Sequence, residues 1–171
     1  RHVCMANSQF LSWVGEQRIA GVEDELREAG LPAPIRLDLA YNARPISSWP
    51  EQAHRYIRNF FREHDQIDAV AAVGDEMALG ISGVLMQQGR RIPQDIAIIG
   101  YDGISLASNT MLPLSTIANP AEAVGKAAAK LLLEQIESDD ADRKAERIRI
   151  KPRLVARQST LGDPAPPRTD P

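Results

Sequence analysis

A nearly continuous apolar run at residues 67–73, Ile-Asp-Ala-Val-Ala-Ala-Val, constrains the fold of this chain most strongly. A run of this kind suits a strand that is covered on both faces of a parallel sheet. A Gly-Asp pair follows it, and Asp75 is placed to cap the N-terminus of a helix over residues 76–88. The run therefore predicts one strand-to-helix unit of an α/β fold.

Strand and helix patterns alternate along the rest of the chain. Residues 96–99 form a second apolar run, residues 35–39 alternate apolar and polar side chains, and residues 15–29 carry apolar side chains at helical spacing. The predicted strands are residues 2–6, 35–39, 67–73, 96–99, 114–118, 147–151 and 154–158, and the predicted helices are residues 15–29, 50–61, 76–88 and 120–136. This order predicts an α/β fold with a doubly wound parallel sheet.

Composition excludes several classes of protein. The chain has 171 residues, of which 43% are hydrophobic, which is enough for a sizeable core. Its net charge of −3 gives no basic excess for binding a polyanion. Cys4 is the single cysteine, so a disulfide within the chain is excluded and a reducing, cytoplasmic location is expected. No apolar run approaches the ~20 residues that span a bilayer, and the N-terminus does not resemble a signal peptide.

Sequence motifs for enzymatic chemistry are incomplete. Gly125 and Lys126 resemble the end of a phosphate-binding loop, but they lie within a predicted helix and no Ser or Thr follows. Ser82 lies between glycines, also within a helix, so it does not form a nucleophile elbow. The three histidines have no spacing typical of metal ligands. We therefore expect no enzyme, no cofactor and no metal.

Polar residues follow the predicted strands, at the edge where open α/β sheets bind ligands. They are Asn7, Ser8, Asn42, Ser47, Ser48, Trp49, Gly74, Asp75, Tyr101 and Asp102. Arg18, in the first turns of a helix, can reach the same edge. A guanidinium and a carboxylate bind hydroxyl groups, and an aromatic ring stacks on a sugar, so the set suits a polyol. Each residue taken alone is also compatible with a cap, a solvated loop or a surface ion pair.

Four blocks resemble the LacI/GalR family of bacterial transcription regulators. Residues 68–80 read DAVAAVGDEMALG, residues 92–103 read IPQDIAIIGYDG, residues 113–117 read PLSTI, and residues 18–31 begin RIAG and end AGL. The blocks occur in the family's order and at its spacings, from residue 1 to about residue 160.

The resemblance implies a periplasmic-binding-protein-like sensor fold, in which two α/β lobes hold an effector between them. Residues 1–113 would form most of the C-terminal lobe, residues 114–138 would belong to the N-terminal lobe, and residues 139–160 would return as strands. Residues 161–171, rich in proline, are expected to be disordered. The chain is expected to be a fragment that lacks the helix-turn-helix headpiece.

The resemblance also implies functional residues. Arg18 and Asp102 match effector-binding positions, Ser48 or Trp49 falls near a pocket position, and Gly74 replaces the family's usual Asn. Asp75 and Tyr101 belong to the same blocks. Leu79, Met111 and Leu112 would lie at a homodimer interface. The implied function is to sense a sugar-like effector for a repressor that binds operator DNA through the headpiece. The alternative is the extracytoplasmic sugar-binding protein of a transporter.

Arg147, Arg149, Lys151 and Arg153 alternate with Ile148, Ile150 and Pro152. Such a pattern is compatible with a nucleic-acid-binding patch, but a solvated sheet edge with protective charges is the better interpretation.

Overall fold

The computed structural model of the protein describes residues 1–8, 13–40, 49–137 and 146–162. In this part of the chain, six strands form one sheet in the order β2-β1-β3-β4-β5-β6. The strands are β1 (Val3–Ser8), β2 (Ile35–Leu39), β3 (Ala69–Ala72), β4 (Ala97–Asp102), β5 (Ser115–Ala118) and β6 (Arg153–Val155). The pairs among β1 to β5 are parallel, and β6 is antiparallel to β5. The predicted α/β fold with a parallel sheet is confirmed.

Helices connect the strands where the apolar spacing predicts them. They are α1 (Trp13–Glu28), α2 (Glu51–Glu63), α3 (Asp75–Gln87), α4 (Ala121–Glu137) and the short α5 (Gln158–Leu161), with a 3-10 helix at Ser105–Ser108. Helix α2 buries Ala53, Ile57, Phe60 and Phe61, which is the predicted stripe. Because these positions repeat at three and four residues, they lie on one face of the helix.

The two faces of the sheet are covered by different helices. Ile98 of β4 belongs to the core cluster that also contains buried residues of α2 and α3. Its neighbours Ile99 and Tyr101 line a cavity of about 350 Å³ together with residues of α1. Since successive side chains of a strand point to opposite faces, α1 lies on the face opposite α2 and α3. The sheet is therefore doubly wound around β1, β3 and β4.

Strand β5 corrects the predicted lobe boundary. The sequence placed residues 114–118 in a second lobe, but Ser115–Ala118 pairs with β4, and Leu114 is fully buried in the core. The pattern PLSTI was read correctly as a strand, whereas its partner could not be read from local sequence. Whether residues beyond this strand belong to another lobe stays a prediction.

The predicted C-terminal strands are partly wrong. Residues 147–151 form no strand, and the strand expected at residues 154–158 is the three-residue β6, after which α5 begins. Because β6 occupies the edge beside β5, the alternating residues 147–151 have no partner strand there. Leu161 ends α5, so it does not belong to the expected disordered tail; residues 163–171 lie outside the described residues.

Ser159 attaches the C-terminal segment to the sheet. Its fully buried hydroxyl donates to the carbonyl of Ile98 at 2.6 Å and accepts from the amide of Ser115 at 2.8 Å. A buried hydroxyl satisfied on both sides fixes α5 against β4 and β5. Residues 153–162 are therefore an integral part of this domain.

Helix α4 is amphipathic but has no partner within the described residues. None of its residues is buried, and Val124, Leu132, Leu133 and Ile136 are all exposed. An exposed apolar stripe of this extent is typical of a surface that another element covers.

Candidate ligand-binding site

Arg18 is the centre of a polar cluster at the carboxyl ends of the parallel strands. Its Nη2 lies 3.2 Å from Oδ1 of Asp102, and its Nη1 donates a short hydrogen bond to the carbonyl oxygen of Val73. Its guanidinium carbon lies 3.5 Å from the centre of the Tyr101 ring. A cation over an aromatic face gains further electrostatic stabilisation. The guanidinium carried by α1 is therefore held by the end of β4 and by the residue that follows β3.

The predicted meeting of Arg18 and Asp102 is confirmed, although 84 positions separate them in the chain. Arg18 is presented by the first turns of α1, and Asp102 is the last residue of β4. The two meet because the carboxyl ends of parallel strands lie at one edge of the sheet. Their role in binding an effector stays a prediction.

The Asp102 carboxylate is partly exposed, with 44% of its side-chain surface accessible, and its pKa is raised. Burial raises its pKa above the ordinary value, the Arg18 charge opposes that rise, and the carboxylates of Asp75 and Glu76 add to it. A raised folded-state pKa means that the folded protein holds this proton more tightly than the unfolded chain does. Ionisation of Asp102 therefore costs stability above that pKa, and the cost disappears as pH falls through it.

Gly74 leaves space beside this carboxylate. It precedes α3 with extended backbone, φ −158°, which any residue can adopt. A Cβ atom added there would lie 3.4 Å from Oδ2 of Asp102, an ordinary contact distance. Position 74 could therefore accommodate a side chain, and its glycine leaves Oδ2 of Asp102 open to a ligand.

Asp75 does not cap its helix as the sequence predicted. Gly74 occupies the cap position, and no side chain caps α3. Instead Oδ2 of Asp75 accepts hydrogen bonds from the amides of Gly103 at 2.8 Å and Ile104 at 2.9 Å. The carboxylate turns away from its own helix because the loop after β4 offers two amide donors, a contact 28 positions away that local sequence does not reveal.

Trp49 packs against helix α3. It is buried, and the tip of its indole lies against Gly80 of α3, where an added Cβ would come within 2.8 Å of it. It belongs to the core cluster beneath α2 and α3, and its contact with an effector stays a prediction. Ser48, Ser47 and Asn42 lie outside the described residues.

Asn7 and Ser8 belong to β1 itself, which runs two residues further than predicted. Asn7 is buried, and its side-chain amide donates to Oδ1 of Asp38 at 3.1 Å. That bond joins the carboxyl ends of β1 and β2, so Asn7 helps to hold the edge of the sheet on which the site stands.

The predicted interface residues divide into two groups. Met111 is fully exposed, whereas Leu112 is buried in the core and Leu79 packs partly against it. Leu112 turns inward because the loop folds back to join β5 through the amide of Leu114, which donates to the carbonyl of Ala107. Met111, Leu106 and Met86 border a surface cavity of about 240 Å³, which we call the Met111 surface.

The sequence did not reveal the backbone groups of the site. The carbonyl of Val73 and the amides of Gly103 and Ile104 fix the charged side chains, but backbone groups carry no residue signature. The Gly at position 103 was the available signal: its φ is +76°, which favours glycine.

No helix in the described part of the chain is long and apolar enough to cross a membrane. The same residues hold no group of three His, Cys, Asp or Glu side chains that could bind a metal ion.

This geometry agrees with comparisons to known proteins. A family model described as periplasmic binding protein-like domain matches residues 2–160, and the chain belongs to that family. The four sequence blocks resemble the LacI/GalR family, and several proteins that are similar to this chain are regulators of that kind.

Several proteins that are similar to this chain are named as transcriptional regulators. The HTH-type transcriptional repressor PurR of Vibrio vulnificus is 43% identical over 153 residues, which cover 84% of this chain and 41% of the relative. The solved structure of a LacI-family regulator from Arthrobacter sp. FB24, in complex with lactose, is 29% identical to this chain and has a TM-score of 0.75. The match covers 93% of this chain and 56% of the Arthrobacter chain. The LacI-family regulator from Enterococcus faecium, with bound ribose, is 28% identical and has a TM-score of 0.73. The match covers 92% of this chain and 56% of the Enterococcus chain. The chain thus spans about two fifths of the curated relatives' length.

Proposed function

We propose that this chain is the effector-sensing part of a LacI-family transcriptional repressor and that it has no enzymatic activity. A sugar-like small molecule binds at Arg18 and Asp102, and operator DNA is bound by a part of the full-length protein outside this chain. The effector acts by binding one DNA-affinity state better than the other, because a ligand shifts an equilibrium only through differential affinity. Operator binding implies that the protein works in the cytoplasm.

The contact between Arg18 and Asp102 carries this proposal. The Arg18 guanidinium is occupied by a carboxylate, a carbonyl and an aromatic face, while the second oxygen of Asp102 borders the space left by Gly74. An ionised carboxylate accepts hydrogen bonds only, so the ligand must supply donors, as hydroxyl groups do. The ligands named for the Arthrobacter and Enterococcus proteins, lactose and ribose, are of this kind.

The transporter alternative is the weaker of the two. It shares the fold, so the sheet and the site do not discriminate against it. The curated relatives that match most of this chain are repressors, which favours the regulator.

A ligand panel tests the effector proposal. We expect ribose, lactose or another polyhydroxyl compound to shift the NMR signals of the Arg18 side chain and of the Tyr101 and Asp102 amides, with a purine base as a chemically different probe. At roughly 10 mM ligand, even a dissociation constant of ~1 mM gives near saturation. The polyhydroxyl compounds and the purine base should cause different changes in these NMR signals. If no compound moves these signals, or all shifts fall elsewhere, the proposed site is wrong.

We further propose that the Met111 surface forms a homodimer contact. A fully exposed methionine between Leu106 and Met86 is an apolar patch on a loop, and repressors that read two operator half-sites need a two-fold partner.

The aspartate substitution Met111→Asp should abolish self-association of the chain in sedimentation, because it places a charge in an apolar contact. Leu112 is left unchanged, since an aspartate there would disrupt the core. Leu132→Asp on the exposed stripe of α4 is the matched control. If Leu132→Asp dissociates the chain and Met111→Asp does not, association occurs through α4 and the proposed interface is wrong.

A further inference from the structure

Asp75 is a buried carboxylate that the effector site does not use directly. Its exposure is 1%, and it lies at the first position of α3. One oxygen, Oδ2, accepts from two successive amides, those of Gly103 and Ile104. The other oxygen, Oδ1, has no hydrogen-bond partner in the structure. A buried charge is retained only where its contacts offset the loss of water, so these two amides are its essential partners.

The residue just before these amides has an unfavourable backbone. Asp102 has φ +109°, and it is the one residue other than glycine with positive φ in the described part of the chain. Such conformations crowd the Cβ atom of an L-residue and persist only where the surrounding structure fixes them. On one side Asp102 accepts from the amide of Asn119 at 3.0 Å, and on the other the next two amides are held by Asp75.

The sheet is also shaped to admit this carboxylate. A Cβ added at Gly100 would lie 2.3 Å from Oδ1 of Asp75 and 3.0 Å from its Cα. Gly100 precedes Asp102 by two residues on the same strand, so its missing side chain opens the position from which Asp75 reaches the loop.

We infer that Asp75 is a positioning residue, which holds the backbone of Asp102 in its left-handed conformation. The Asp102 carboxylate is thereby oriented towards Arg18 and the space beside Gly74. The importance of this orientation for effector binding rests on the proposed function. The coupling between Asp75 and the Asp102 backbone is a property of the fold and is testable without any effector.

A double-mutant cycle on the 171-residue chain tests the coupling. The variants are Asp75→Ala, Asp102→Gly and the combination, and the measurement is the amide hydrogen exchange rate of Gly103 and Ile104. We expect Asp75→Ala to accelerate exchange about tenfold or more, because both amides lose their acceptor. In the Asp102→Gly background the acceleration should be clearly smaller, because glycine adopts positive φ without steric cost.

The substitution Asp75→Asn removes the charge of this side chain but keeps an oxygen that can accept hydrogen bonds. Its amide oxygen can still accept from both amides, so exchange should stay within about threefold of the unmodified chain. The pKa of Asp102, followed by carboxyl-carbon NMR, should fall, because Asp75 is one of the charges that raise it. Arg18 from α1 and Glu76 from α3 also face Asp102, and they are unchanged in this variant.

Equal acceleration by Asp75→Ala in both backgrounds would overturn the inference, because Asp75 would then hold the loop independently of Asp102. If the Asp75→Ala variant does not fold, the Asp75→Asn variant provides the test. The inference then stands only if the exchange rates of the Gly103 and Ile104 amides are preserved and the pKa of Asp102 falls. Any other result overturns it. Failure of the ligand panel with a positive cycle would reject the proposed effector and leave the positioning role intact.

Discussion

Replacing Arg18 by methionine is expected to lower effector affinity by a factor of ~100 or more. The guanidinium contacts Asp102, the Val73 carbonyl and the Tyr101 ring, so its removal leaves a partly exposed carboxylate without its opposite charge. A hydrogen bond to a charged group contributes about 1.5–3 kcal/mol, and without Arg18 the Asp102 carboxylate that accepts from the ligand is no longer held in place. Titration calorimetry with the panel ligand that shifts the site measures the loss directly.

The same substitution should move the titration of Asp102. Arg18 opposes the rise that burial causes, so its loss should raise the pKa of Asp102 further. As pH falls, Asp102 is then protonated earlier, and ligand hydroxyls meet a weaker acceptor.

Arg27→Met is the matched control for this prediction. Arg27 lies on the same helix, is largely exposed and pairs with Asp24 one turn away. Exposed pairs of this kind contribute ~0–1 kcal/mol, so the control should bind as the unmodified chain does. Equal affinity of Arg18→Met and Arg27→Met would exclude the guanidinium from the site.

The substitution Gly100→Ala is expected to lower the free energy of unfolding by about 3 kcal/mol. The added methyl group would meet Oδ1 of Asp75 at 2.3 Å, the Cα of Asp75 at 3.0 Å and a methyl of Leu114 at 3.2 Å. Overpacking of a well-packed core typically costs ~1–3 kcal/mol, and here a backbone atom that cannot rotate away is among the contacts. Urea denaturation measures the change as a lower midpoint.

Gly83→Ala provides the control, since a Cβ there meets nothing within 4 Å. Gly83 lies inside α3, and replacing a helical glycine by alanine should stabilise the chain by up to ~1 kcal/mol. We therefore expect Gly100→Ala to lower the free energy of unfolding and Gly83→Ala to raise it. A Gly100→Ala variant as stable as the parent would show that Asp75 and β4 can separate without cost.

Most strands and helices of this fold could be predicted from local sequence. The apolar run at residues 67–73 and the stripe of α2 repeat with the periods of a strand and a helix, and each period needs only a few consecutive residues. Prediction was wrong at residues 147–151, where the alternation is present but no strand is available to pair with it. Alternation shows that a segment is suited to a sheet edge, whereas pairing requires an unoccupied edge.

The candidate site could be predicted in part. Arg18 at the start of a helix and Asp102 at the end of a strand were predicted to lie at one edge of the sheet, and the structure confirms their contact. Trp49 was assigned to the same edge on sequence position; its large apolar ring is buried against Gly80 and the core, and its contact with an effector stays a prediction.

By itself, the sequence determined the α/β class of this protein, the family blocks and the carboxyl-edge position of its charged residues, because periodicity and strand-end placement are local properties. Tertiary structure alone decided that Asp75 binds the loop beyond Asp102, that Leu112 turns inward while Met111 stays exposed, and that residues 115–118 join this sheet. Each of these depends on a partner far away in the chain. A side chain's contacts are set by which distant groups the packed sheet brings within hydrogen-bonding or van der Waals distance, and no local pattern records that.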